Sequence, residues 1–428
     1  MSKEKKQLSI DNDTTDYPLG NIPPSGRKSM ISLIFAYAGL GLNSAEVISG
    51  GSIVLPLGFK TGMVAMCIGI AVLALVSALI SAPAQKYGIG IALQTRYSFG
   101  NLGTKFPSLL MPVVYIGWFG VTIALLASCT VYLFPGLNFK VLAIAAGLAM
   151  TVVATIGVNG IAIVGWIAVP IVIVVGTLGS VLLVNQNADS FVMVADGTST
   201  FMGAVSKSIS AFICGSLFCS DLTRFARTLK QGIIGSLIGC LLGLLFCRTF
   251  GALSACATGE TDIVIALGSV GLAIPAFLFL LFNIVSTTDT HLYSAGLSLT
   301  NFFNFKRSVL TIISGLVGTA VAVSGLYNHW GTWLDFLAIL IPPLGGVIIA
   351  NYYFVWNRKY CPLDEITCKL NPLALVAFVI GAIVAVIGFV CPALEGGIAA
   401  GIAYVILMKG AKKFKPEYYA KLMSLKTA

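Results

Sequence analysis

Apolar residues run along this chain in blocks of about twenty, parted by short polar stretches, from residue 30 nearly to the C-terminus. A helix needs about 20 mostly apolar residues to cross the hydrocarbon core of a bilayer. By that rule twelve spans are expected, over 30–56, 61–82, 107–134, 139–158, 160–184, 201–221, 232–256, 271–299, 308–326, 333–356, 372–391 and 393–408. The period-two alternation of a membrane β-barrel is absent. Two spans carry an interruption at mid-depth. The first holds Gly39-Leu40-Gly41-Leu42-Asn43 and then Glu46; the sixth holds Cys214-Gly215-Ser216. Irregular backbone at that depth is tolerated only inside protein or along a cavity. Paired broken helices in corresponding halves are a mark of secondary transporters. Both interruptions are therefore expected to be unwound and to face a binding site.

The order of the spans fits this reading. Spans 1–5 and 6–10 form two blocks, each opening with a glycine-interrupted helix. Five is odd, so the second block enters the membrane from the opposite side and the repeats are inverted. Spans 11 and 12 lie outside the repeat. Residues 1–29 form a polar, mobile N-terminal segment, 30–408 the transport domain, and 409–428 a basic tail.

Composition agrees. Hydrophobic residues make up 57% and charged residues 10%, with a mean hydropathy of +0.95. A soluble domain has roughly 25% charged residues. The net charge of +10 raises nucleic-acid binding as a reading, but its distribution excludes it. With the N-terminus in the cytoplasm, 22 of the 26 basic residues fall inside, and only Lys60, Lys140, Lys207 and Arg248 outside. That is the positive-inside rule; it places both termini in the cytoplasm and the protein in the plasma (inner) membrane. The first 29 residues show no signal-peptide core. The ten cysteines are scattered and lack zinc-site spacing.

Candidate chemistry collects in one layer. In span 8, Ser286 and Thr287 follow Asn283 by three and four residues, so their hydroxyls share a helix face with its carbonyl. With the carbonyls of Gly39 and Leu42 they make five oxygens, the kind of ligand a hard cation such as Na⁺ takes. The alternative is back-bonding of hydroxyls within a membrane helix. Trp118, between Gly117 and Gly120, and Phe212 are mid-span aromatics suited to sandwich a flat heterocycle; the alternative for each is packing. Glu46 is the single carboxylate of the first five spans and a functional candidate by default; the substrate is expected to supply its partner. Asp289 and Asp221 to Arg227 read as gate or helix-end electrostatics, and His291 and His329 as packing or surface residues. No cofactor is expected beyond the coupling ion.

At these residues the chain resembles the nucleobase:cation symporter-1 family, and most of all its bacterial cytosine permease branch. The resemblance rests on Arg96 to Gly100, Gly117 to Val121, Asp221 to Arg227, Thr287 to Gly296 and Ile341 to Ala350. It implies an all-α, five-plus-five inverted-repeat fold, alternating access, and Na⁺- or H⁺-driven uptake of bases and related heterocycles by a monomer in membrane lipid. The family's sodium site falls on Gly39, Leu42, Asn283, Ser286 and Thr287, and its stacking pair on Trp118 and Phe212. Where cytosine permeases resemble one another in a glutamine, this chain has Tyr115. It has Ala211 and Cys214 in place of serines, and Thr288 in place of an asparagine. Asn283, Tyr115, Cys214, Thr288 and Glu46 complete the expected substrate contacts, for cytosine, another purine or pyrimidine, a hydroxymethylpyrimidine or a ureide. A channel and a membrane enzyme are the rival classes.

Overall fold

The computed structural model describes residues 17, 20–188, 191, 197–303, 305–325 and 329–423, with only the backbone at 330 and 331. Lys3, Lys5, Lys6 and Lys426 of the charge count, and residues 1–16, lie outside the described residues. Apart from one isolated bridge between Lys28 and Ala226, the described residues contain no β-structure.

The first span is two helices, α1 (Met30–Gly41) and α2 (Ser44–Val54), bent by 61°. Then come α3 (Phe59–Tyr87), α4 (Ile91–Gly103), α5 (Lys105–Leu133), α6 (Phe139–Thr155) and α7 (Val158–Gln186). The second block has α8 (Phe201–Thr223), α9 (Leu229–Thr258), α10 (Ile263–Ser269), α11 (Ala273–Phe303), α12 (Arg307–Ser324) and α13 (Trp330–Ala350). The chain closes with α14 (Pro372–Ile387), α15 (Pro392–Phe414) and α16 (Pro416–Leu422). Among the described residues nine helices are long and apolar enough to cross a membrane; the bent pair makes ten, and the shorter apolar α6 and α14 complete twelve. Their outer faces carry exposed Val152, Leu178 and Val386, as lipid-facing helices do.

The inverted repeat is visible in who packs on whom. The bent first span lies on α9, and its counterpart α8 lies on α3; α1 packs on α7, and α8 on α13. The equivalent pairs α3 and α9, α5 and α11, and α6 and α12 also pack on each other. Two short helices that the hydropathy reading does not contain fall at matching places, α4 after the second span and α10 after the seventh. α4 packs on α5, α11 and α13; α10 packs on α11, α5 and α7, which is the same set exchanged between the blocks.

The expected break in the sixth span does not occur. α8 runs from Phe201 to Thr223 without interruption, started by the Thr200 hydroxyl accepting from the Gly203 amide. Gly215 makes room for a side chain of its own helix instead. A Cβ there would lie 2.4 Å from the Phe212 ring, and its carbonyl accepts from the Tyr37 hydroxyl of α1 at 3.2 Å.

Part of the N-terminal segment, expected to be mobile, is packed. Ile22 is buried, and Arg27 donates to the carbonyls of Gln85, Arg224 and Ala226.

Candidate functional site

The break in the first span creates the site. α1 ends at Gly41, Leu42 and Asn43 leave helical geometry, and α2 restarts at Ser44 with the Asn43 side chain accepting from the Glu46 amide at 3.0 Å. A helix end leaves carbonyls without helical partners. Here they find side chains. The Asn43 amide donates to the Leu40 carbonyl at 3.1 Å. Ser286 Oγ lies 3.1 Å from the Gly39 carbonyl oxygen, and Thr287 Oγ1 lies 3.3 Å from it and 3.5 Å from that of Leu42. Both hydroxyls also reach the Asn283 carbonyl, at 3.0 and 3.1 Å. The five expected oxygens thus converge from the break in span 1 and one turn of α11. All are neutral, the set suits a hard cation, and Ser286 and Thr287 are buried. No cluster of His, Cys, Asp or Glu able to hold a metal occurs among the described residues.

Beside this cluster lies a small pocket between α1, α2, α5, α8 and α11. Trp118, Phe212, Cys214 and Glu46 line it, with Leu40, Asn43, Ala211, Gly215, Phe218 and His291. Trp118 is held by the tight packing expected of its glycines. A Cβ on Gly117 would lie 2.3 Å from Trp333, and one on Gly120 2.6 Å from Val321. A larger groove of about 540 Å³ between α3, α8, α13 and α15 is almost wholly apolar and is lined by exposed Leu75, Phe354 and Ile406. It opens to the lipid-facing side and offers a polar heterocycle no partners.

Three expected substrate residues lie elsewhere. Tyr115 is one turn along α5 from Trp118, its ring 3.9 Å from that of Phe218 and its hydroxyl 3.4 Å from Asp221 Oδ2. Phe218 lines the pocket and Tyr115 does not. The Thr288 hydroxyl is spent on the Ile284 carbonyl at 2.9 Å. The Asn283 side chain accepts from the Ser44 hydroxyl at 2.9 Å and faces Cys247, so only its carbonyl belongs to the oxygen cluster.

Glu46 already has a partner. Arg248, counted on the non-cytoplasmic side by the charge distribution and lying within the expected span 232–256, is fully buried on α9 and contacts Glu46 Oε2 through Nε at 2.7 Å and Nη2 at 2.6 Å. The expectation that the substrate alone supplies the partner is corrected. A single arginine in an apolar stretch leaves the average hydropathy of its span high, which is why the pattern did not reveal it.

His291 is expected from the sequence to be a packing or surface residue, yet it lines the pocket, its ring 6.2 Å from Trp118 and nearly parallel to it, with Nδ1 unpartnered among the described residues. Its place four residues after Thr287, on the same helix face, was a legible signal. Asp289 is fully buried in α11, with Oδ1 bonded to Thr290 and Oδ2 unpartnered among the described residues. Asp221 is also buried and accepts from the Ile91 amide at 2.9 Å, capping α4 from another helix. Arg224 joins it to the N-terminal segment, donating to the Tyr17 carbonyl and the Tyr293 hydroxyl, both at 3.0 Å.

A bent first span, an inverted repeat and a polar cluster at the bend define a membrane transporter of the broken-helix type. Residues 22–411 match the family described as permease for cytosine/purines, uracil, thiamine, allantoin, and the chain belongs to that family. It is 32% identical to the cytosine permease of Escherichia coli (strain K12) over 377 residues, 87% of this chain and 89% of that protein. It is 24% identical to the hydantoin permease of Microbacterium maritypicum, over 97% and 92% of the two chains. The fold matches Mhp1, a nucleobase-cation-symport-1 family transporter, in a closed conformation with bromovinylhydantoin bound. The TM-score is 0.81 at 20% identity, covering 95% of this chain and 98% of that one. The chain is a nucleobase-type permease and not an enzyme.

Proposed function

We propose that this permease is a sodium-driven symporter that imports a flat nitrogen heterocycle by alternating access, with both termini in the cytoplasm. The observation that carries the reading is the convergence of Gly39, Leu42, Asn283, Ser286 and Thr287 on one point at the bend of span 1. A cation bound there ties the bent span to α11, so its binding is sensitive to the relative position of the two. The ligand pocket adjoins the same bend, through Leu40 and Asn43. Ion and substrate then favour the same arrangement, which is what coupling requires. Trp118 and Phe212 supply the aromatic faces for the ring.

Relatives with the names cytosine permease, purine-uracil permease and hydantoin permease support a planar, hydrogen-bonding ligand. Cytosine itself is one member of the class, and Ala211 and Cys214, standing where the cytosine pattern has serines, make this pocket less polar than that pattern. The test is uptake into proteoliposomes with cytosine, adenine, uracil, hydroxymethylpyrimidine and allantoin. An imposed Na⁺ gradient should drive concentrative uptake and counterflow of one of them, and replacing Na⁺ by choline should abolish it. Uptake indifferent to Na⁺ but collapsed by a protonophore would instead favour proton coupling. Asp289, a buried carboxyl with one unpartnered oxygen, would be the group to examine under that second reading.

A further inference from the structure

Glu46 is the third residue of α2, behind the N-cap Asn43. In a capping box the acid at this position turns back to the N-cap amide. Here the Asn43 amide is engaged by the Gly41 carbonyl at 3.1 Å, and the carboxylate reaches across to α9. The guanidinium of Arg248 donates through two of its arms: Nε to Glu46 Oε2 at 2.7 Å and Nη1 to Ser208 Oγ at 2.6 Å, while Nη2 makes an ion-pair contact with the same Oε2 at 2.6 Å and no hydrogen bond among the described residues. Ser208 in turn donates to the Met66 carbonyl at 3.1 Å. One planar group thus links α2, α8, α9 and, through Ser208, α3.

The contact with the acid is lopsided. Arginine commonly takes a carboxylate with two parallel bonds, one to each oxygen. Here the one hydrogen bond, from Nε, and the closest charge contact, from Nη2, both fall on Oε2, and Oε1 accepts nothing among the described residues. Glu46 is also a lining residue of the pocket that holds Trp118 and Phe212. A simple staple between helices does not need this arrangement. α2 and α9 already touch through backbone, since a Cβ on Gly50 would lie 2.0 Å from the Arg248 carbonyl oxygen, and one on Gly251 1.7 Å from that of Val47. Buried ion pairs are in general poor stabilisers compared with apolar packing. The Arg248 guanidinium supplies the opposite charge that a buried carboxylate needs.

We infer that Arg248 is a positioning residue that holds Glu46 with Oε1 presented to the pocket as a hydrogen-bond acceptor, so that the permease selects heterocycles with an amino edge over their carbonyl analogues. This deepens the heterocycle-symporter reading and rests on it. An ionised carboxylate only accepts hydrogen bonds. An amino group meets it favourably, and a ring carbonyl in the same place meets it oxygen to oxygen.

The experiment is isothermal titration of the purified full-length chain with two pairs, cytosine against uracil and adenine against hypoxanthine. The wild type should prefer the amino member of at least one pair by about tenfold or more, the scale of one charge-assisted hydrogen bond. Glu46→Gln, whose amide both donates and accepts, should bring the ratio to within about threefold. Arg248→Met should do the same although it leaves the acid in place, and Arg248→Lys should restore part of the ratio. If either single variant fails to fold, the neutral pair E46Q/R248M carries the test, and it too should lose the preference. A wild type that binds both members equally overturns the inference, and so does a variant that loses affinity for both alike with the ratio intact. If none of the four ligands binds the wild type, the heterocycle reading fails and this inference falls with it. Binding with an unmoved ratio leaves that reading standing and removes this one alone.

Discussion

Thr287 and Gly39 meet across the break in the first span, the threonine hydroxyl 3.3 Å from the glycine carbonyl oxygen. The two residues are 248 positions apart and come from the two halves of the repeat. The glycine carbonyl is available because α1 stops two residues later. The hydroxyl is available because Thr287 faces the break, whereas its neighbour Thr288 turns back on its own helix.

Thr287→Ala should remove one of the five oxygens and weaken activation by Na⁺. Counting a polar contact to a charge as about 1.5 kcal/mol, the Na⁺ concentration for half-maximal uptake should rise by about tenfold. Thr288→Ala, one residue on, should leave it within about twofold, because its hydroxyl lies outside the cluster. Initial uptake rates across a Na⁺ series at constant ionic strength decide this. Equal effects of the two substitutions would take the ion away from this cluster.

Trp118→Ala should cost about 1–3 kcal/mol of ligand affinity, the range for losing one aromatic face under a base. The loss should be similar for every flat ligand, since stacking reads a ring and not its substituents. Titration of the variant against the cytosine and adenine pairs gives the answer. Unchanged affinity with a lowered melting temperature would make Trp118 a packing residue.

Tyr115→Phe should matter little to binding. Its hydroxyl contacts Asp221 at 3.4 Å, its ring packs on Phe218, and it is not among the residues that line the pocket. The dissociation constant should stay within about threefold of the wild type, well under 1 kcal/mol. A loss of about tenfold or more would bring Tyr115 back among the substrate contacts.

Gly50→Ala should destabilise the fold, because the added methyl meets the Arg248 carbonyl at 2.0 Å and backbone must move. Overpacking of this kind costs about 1–3 kcal/mol. Gly410→Ala, in α15 with nothing within 4 Å, should be neutral or stabilising by about 0.5–1 kcal/mol, the ordinary gain of alanine over glycine in a helix. Melting temperatures in the same detergent compare the two, and a Gly50→Ala protein as stable as Gly410→Ala would contradict the close crossing of α2 and α9.

The sequence by itself determined what depends on length and local spacing. Twelve apolar blocks predicted twelve spans because a bilayer demands about twenty apolar residues from each. The odd number of spans per block implied inversion, and the packing partners of α4 and α10 repeat it. The five-oxygen cluster was legible because Asn283, Ser286 and Thr287 lie within one helical turn and the first span carries an evident break.

Only the tertiary structure decided which of several local possibilities each residue takes. A glycine permits a break and permits close packing of a side chain equally well, so Gly215 makes room for the Phe212 ring in an unbroken helix, where Leu42 and Asn43 became a true bend. From the sequence Tyr115 is expected at the site and His291 in packing or at the surface. Tyr115 packs on Phe218 and does not line the pocket, whereas His291 lines it beside Trp118. The partner of Glu46 was not legible because the pairing with Arg248 spans 202 residues. No spacing rule reaches that far. Only the crossing of α2 and α9 brings a carboxylate and a guanidinium to 2.6 Å, and burial then obliges them to pair.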